Sequence, residues 1–157
     1  MLSQVLACEM ADVFAAAAPM ASTLTILPGQ CKPSRPVPMY MINGTLDPLV
    51  GYAVPSFGLG MSVPAVFSLW ASRDACTDQP HTTLKQGAAT CQTYDQCAGG
   101  ADVTLCTVQG MGHCMPGMKA DSPLNCMTKN LIPLGPPNND IDGIDLAVNF
   151  LLAHSLP

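Results

Sequence analysis

A chain of 157 residues, 48% hydrophobic and 11% charged, has the length of one ordinary domain and enough apolar material to bury a core. Its net charge is −5, with only six lysines and arginines and no basic cluster, which argues against nucleic acid or an anionic membrane as partner. Eight cysteines in so lightly charged a chain point to an oxidising compartment and to disulfides. The cysteines form no C-x-x-C pair, and His81, His113 and His154 are scattered, so no metal and no cofactor is expected.

The opening run, "MLSQVLACEMADVFAAAAPMA", is apolar but does not read as a secretory signal. Glu9 and Asp12 interrupt it, and the first positive charge is Lys32. No window approaches the length of a transmembrane helix. Leu2 to Met10 has helical apolar spacing at Leu2, Val5 and Leu6, and Val13 to Met20 is a continuous apolar run of the kind a buried parallel strand shows. "LPGQCKPSRP" (27–36) is a connection, and "VPMYMING" (37–44) is a second buried-type strand ending in a Gly turn.

Val63, Val66, Phe67 and Trp70 predict a helix over 63–75, with Pro64 tolerated in its first turn. "TLKQGAATCQTYDQC" and "ADVTLCTVQG" are expected to be two strands joined by a turn at Gly99 and Gly100. Residues 115–139 are irregular and rich in Pro and Asn. The last element, 141–154, is expected to be a helix capped by Asn139 or Asp140, with Ile144, Ala147, Val148 and Leu151 on its buried stripe. This order of elements implies an α/β layer architecture in one domain over 1–157, without internal repeats.

Two short stretches carry chemistry. "NGTLDPLV" (43–50) puts Asp47 in the loop after a buried strand, and "GMGHCMPG" (110–117) puts His113 in a Gly-flanked loop after another. An acid after one strand and a histidine after a later one is the chain order of an α/β-hydrolase triad. There the acid orients the imidazole, and the imidazole takes and returns the proton of a nucleophile. The plain alternative is that Asp47, before a proline, forms a turn and His113 is a structural loop residue.

"LACEMADVFAAAAPMA", "PVPMYMINGTLDPLVGY", "CAGGADVTLCTVQGMGHCMPG" and "IDLAVNFLLAH" resemble the carboxyl-terminal half of the secreted polyhydroxybutyrate depolymerase and feruloyl or acetylxylan esterase family. The resemblance covers essentially the whole chain. It implies the carboxyl-terminal part of an α/β-hydrolase sandwich, a mostly parallel sheet with an antiparallel hairpin. It further implies a carboxylic ester as substrate, Asp47 and His113 as catalytic acid and base, and a secreted or periplasmic location. Asn43 stands where His is common in the family, and Met115 where Trp is common.

The family's G-x-S-x-G-G-M nucleophile elbow precedes the helix that resembles "LACEM", and Met1 falls on the Met of that motif. No G-x-S-x-G occurs in the chain, and Ser3 lies too far along the expected helix to replace the serine. Two function classes therefore stay open: a carboxylic ester hydrolase with a serine supplied upstream or by a substitute, and a non-catalytic α/β fragment. A strand over Val13–Met20 without its outer neighbour would leave an exposed sheet edge, from which a homo-oligomer is expected. Among the cysteines, Cys114–Cys126, Cys76–Cys97, Cys8–Cys31 and Cys91–Cys106 form a plausible set, although eight cysteines admit about a hundred pairings.

Overall fold

The structure is a computed structural model, and it describes residues 1–55, 60–118 and 134–157. The first helix, α1, spans Leu2–Glu9 and buries Gln4, Ala7 and Cys8. This corrects the expected stripe, since Leu2 is exposed and Val5 and Leu6 are only half-buried. The face is chosen by its bonds. Cys8 is disulfide-bonded to Cys31. Both ends of the Gln4 amide are bonded inside, donating to Ser22 Oγ at 3.2 Å and accepting from Trp70 Nε1 at 3.2 Å.

The strand expected over Val13–Met20 is reduced to parallel bridges at Ala17 and Met20, which pair with Met39 and Ile42. Upstream of them the backbone is drawn away. The Arg35 guanidinium takes the carbonyls of Ala11 (2.7 Å), Phe14 (2.7 Å) and Ala15 (3.0 Å), which removes those acceptors from any ladder and leaves Val13 and Phe14 exposed. Within the bridged stretch, Pro19 has no N–H to contribute.

Four full strands follow: β1 (Met39–Gly44), β2 (His81–Gln86), β3 (Ala89–Tyr94) and β4 (Val103–Val108). Their order in the sheet is β1-β4-β3-β2. β1 lies parallel to β4 from Met39↔Val103 to Gly44↔Val108, whereas β4–β3 and β3–β2 are antiparallel. The sheet is therefore mixed, not mostly parallel. The reason is connection length: short links join β2 to β3 and β3 to β4 and permit only antiparallel neighbours, while β1 reaches β4 through a long crossover.

The expected antiparallel pair joined through Gly99 and Gly100 is present as β3 and β4, and the expectation is corrected only in its first stretch. That stretch is itself a hairpin, turning at Gly87–Ala88, with Gly87 at φ 55°. Gly99 and Gly100, at φ 64° and 71°, belong to a short 3-10 turn between β3 and β4.

α2 (Val63–Arg73) starts where expected, with Ser62 as N-cap and Pro64 in the first turn. α3 (Gly143–Leu152) is capped by Asp142, whose carboxylate accepts from the Ile144 and Asp145 N–H groups at 3.0 Å each, and not by Asn139 or Asp140. Asp140 instead accepts from the Ala88 N–H at 2.7 Å and braces the β2–β3 turn. The buried face of α3 is Gly143, Ala147 and Phe150, while Ile144, Val148 and Leu151 of the expected stripe are exposed. Close approach selects that face: a Cβ on Gly143 would lie 2.7 Å from Pro116, and Phe150 stacks on Tyr40 at 5.2 Å.

One core cluster joins α1 and α2 to Met39, Met41, Val103 and Leu105 on one face of the sheet. The other joins Ile42, Val108, Met111 and Ile141 on the α3 face. The result is an α/β layered fold. Three expected disulfides are present: Cys8–Cys31, Cys76–Cys97 and Cys91–Cys106, the last between register partners on adjacent strands. They fit an extracellular location. Cys114 is disulfide-bonded as well, and its expected partner Cys126 lies outside the described residues. No helix among the described residues is long and apolar enough to cross a membrane.

Candidate active site

Because β1 and β4 run parallel and in register, the loops that leave them emerge at the same edge of the sheet. The two loops are then laced together. The Thr45 N–H donates to Val108 O at 3.1 Å, and the Leu46 N–H donates to Met111 O at 2.9 Å. Gly44 is required at the crossing, since a Cβ there would sit 2.1 Å from the Met111 carbonyl oxygen.

Beyond that crossing, Asp47 turns inward with a fully buried side chain. Its Oδ1 accepts from the Leu49 N–H at 2.8 Å and the Val50 N–H at 2.7 Å, which forms the local turn. Oδ2 lies 2.8 Å from His113 Nδ1. Three donors thus converge on one buried carboxylate, and neither oxygen is left without a partner.

The histidine is held from the other side by residues 134–136. The His113 N–H donates to Leu134 O at 2.6 Å, and the Gly112 N–H donates to Pro136 O at 2.8 Å. A Cβ on Gly112 would lie 2.0 Å from Leu134 O, so only glycine admits this strap. The imidazole is 29% exposed, and among the described residues nothing hydrogen-bonds to its Nε2. A carboxylate oxygen can only accept from Nδ1, so in the neutral imidazole the proton sits on Nδ1 and Nε2 keeps the lone pair. The arrangement holds a partly exposed imidazole against a buried carboxylate.

The two residues singled out in the sequence, 66 positions apart, are therefore in direct contact. Ser22 is buried and occupied by Gln4, Ser3 lies on α1, and Ser56 falls outside the described residues. Asn43 is buried beneath the same sheet edge, its Nδ2 donating to Ser22 O at 3.2 Å. Sequence reasoning missed the 134–136 strap. Its one signal is "LGPP", a glycine at φ 86° before two prolines, and that reads only as a turn.

One group among the described residues could hold a metal ion. Asp78, His81 and Asp95 place three ligand atoms within 4.8 Å of one another, at the end of the sheet opposite His113. His81 and Asp95 are half-exposed, and Asp78 already accepts from the Asp95 N–H at 3.1 Å.

The Asp47–His113 contact has a direct spectroscopic consequence. Long-range 1H–15N spectra of the neutral imidazole are expected to show His113 as the Nδ1–H tautomer. In Asp47→Asn, whose amide can donate to Nδ1, population moves to the Nε2–H tautomer. An unchanged tautomer would contradict the contact.

No model of a known protein family matches this chain. The chain is similar to feruloyl esterase B of Piromyces equi, with 36% identity over 125 residues, 71% of this chain and 22% of that protein. It spans about a fifth of the length of the curated relative it matches. The similarity supports an esterase-like family for this chain.

Proposed function

We propose that the chain provides the acid and base of a carboxylic ester hydrolase of the α/β-hydrolase type. The observation that carries the reading is the buried Asp47 carboxylate 2.8 Å from Nδ1 of the partly exposed His113, whose Nε2 is unengaged among the described residues. In the proposed reaction, Nε2 removes the proton of a serine hydroxyl as its oxygen attacks the ester carbonyl. The same nitrogen then returns the proton to the departing alcohol. Asp47 keeps the imidazole in the required tautomer and stabilises the imidazolium formed in between. A water activated in the same way hydrolyses the acyl-serine and releases the acid.

On this reading the serine and one oxyanion-binding N–H stand at a nucleophile elbow before α1, a second such N–H comes from an earlier strand–helix loop, and the substrate is an ester of phenolic, acetyl or polyester type. We also propose that the open edge at residues 17–20, where Ala18 makes no backbone hydrogen bond among the described residues, pairs with a second copy of the chain. Light scattering is expected to show a dimer or larger assembly, and a monomer at high concentration would contradict the pairing.

The catalytic reading is tested on nitrophenyl acetate. The 157-residue chain alone is expected to stay near the background of a free imidazole. The longest in-frame product of its gene is expected to exceed that background by at least about a thousandfold, since the oxyanion donors alone are worth about that much. A fluorophosphonate should label one serine of that product. A folded long product without turnover or label would overturn the hydrolase reading and leave the non-catalytic one.

A further inference from the structure

At the end of the sheet opposite His113, one carboxyl joins three parts of the fold. Asp74 follows α2 directly and is 0% exposed. Its N–H donates to Trp70 O at 2.9 Å, closing the helix, and its carbonyl accepts from the Ala98 N–H at 2.7 Å, in the turn between β3 and β4. Its Oδ1 accepts from the Val37 N–H at 2.9 Å, at the entrance to β1. Two residues on, the Cys76–Cys97 disulfide ties the same turn to the same helix end.

The other oxygen, Oδ2, is buried and has no hydrogen-bond partner among the described residues. A carboxylate left in that condition is strongly disfavoured, whereas a neutral carboxylic acid is tolerated. Among the described residues, two charged groups act on it, Arg35 and Asp102. Arg35, from the loop before β1, has its guanidinium committed to the carbonyls of Ala11, Phe14, Ala15 and Pro36. Asp102, just before β4, pairs with His154 beyond α3 at 3.2 Å, and Asp95 acts on Asp102 in turn.

We propose that Asp74 is a pH-operated latch: as the neutral acid it locks the end of α2 onto the entrance of β1 and the turn before β4, and on losing its proton to solvent it loosens that joint. The protein is thereby tightest in acid and slackens towards alkaline pH at the end of the sheet remote from His113. Burial pushes the Asp74 carboxyl up to about 7, against the opposing pull of the Val37 N–H and Arg35, with Asp102 adding to the rise. The sign follows from linkage. Between the ordinary carboxylate range near 4 and about 7, the unfolded chain has released this proton while the folded chain retains it, so stability falls as pH rises. Below that window the contribution is constant, and above about 7 the loss is complete.

The test is urea unfolding of the full chain and of Asp74→Asn from pH 4 to 9. The Asn carbonyl oxygen can still accept from Val37 but cannot ionise. Relative to the variant, the folding constant of the native chain is expected to fall by about tenfold per pH unit across the window, nearly a thousandfold in all. Parallel curves for the two proteins would overturn the latch. If Asp74→Asn does not fold, carboxyl 13C titration of the native chain decides: a midpoint near 7 supports the proposal, and one near 4 overturns it. Amide exchange reads the joint itself. Protection at Val37 and Ala98 should fall between pH 4 and 7 to values below that of Leu105, within β4, which falls only as far as global stability does, and equal protection at all three would contradict a local latch.

Discussion

The parallel, in-register pairing of β1 with β4 is the constraint on which the candidate site depends. Parallel strands bring their carboxyl ends to one edge, so a loop near residue 45 and another near residue 111 meet although far apart in sequence. Once they meet, contact between bare backbones fixes their spacing: Gly44 against the Met111 carbonyl, and Gly112 against the Leu134 carbonyl. A side chain at either glycine would push the loops apart and draw His113 off Asp47. The 2.8 Å contact is the last term of a sequence that begins with strand pairing.

The two ends of the sheet treat buried carboxyl groups in opposite ways. At the end that carries His113, every oxygen of Asp47 has a donor, and the group serves as a fixed acceptor. At the other end, Asp74 has one satisfied oxygen and one that finds no hydrogen-bond partner among the described residues. Full satisfaction gives rigidity, and partial satisfaction gives sensitivity to protonation. That contrast explains why one buried aspartate suits orientation of a base and the other suits a joint that responds to pH.

Much of this was legible in the sequence, for identifiable reasons. Asp47 and His113 stood out because each sits in a loop directly after a run too apolar for a surface strand, and the strands behind those runs exist. Three disulfides could be paired because their cysteines close short links between neighbouring elements. The faces of α1 and α3 were not legible. α3 is apolar almost all round, so periodicity could not choose between Ile144 and Phe150, and in α1 the polar Gln4 points inward because Trp70 and Ser22 satisfy it there. The β2–β3 hairpin was hidden because Gly87–Ala88 is a quieter turn signal than the Gly99–Gly100 pair that follows. The 134–136 strap acts through backbone carbonyls, which no side-chain pattern records.

The central claim is that Asp47 and His113 work as one unit on an ester, the buried acid acting only through the imidazole it orients. A double-mutant cycle on ester hydrolysis by the longest in-frame gene product measures this most directly. His113→Ala and Asp47→Asn are each expected to lower kcat by about 10⁴-fold, and the double variant by little more than the more damaging single change. Full activity in His113→Ala, or losses that multiply in the double variant, would contradict the account.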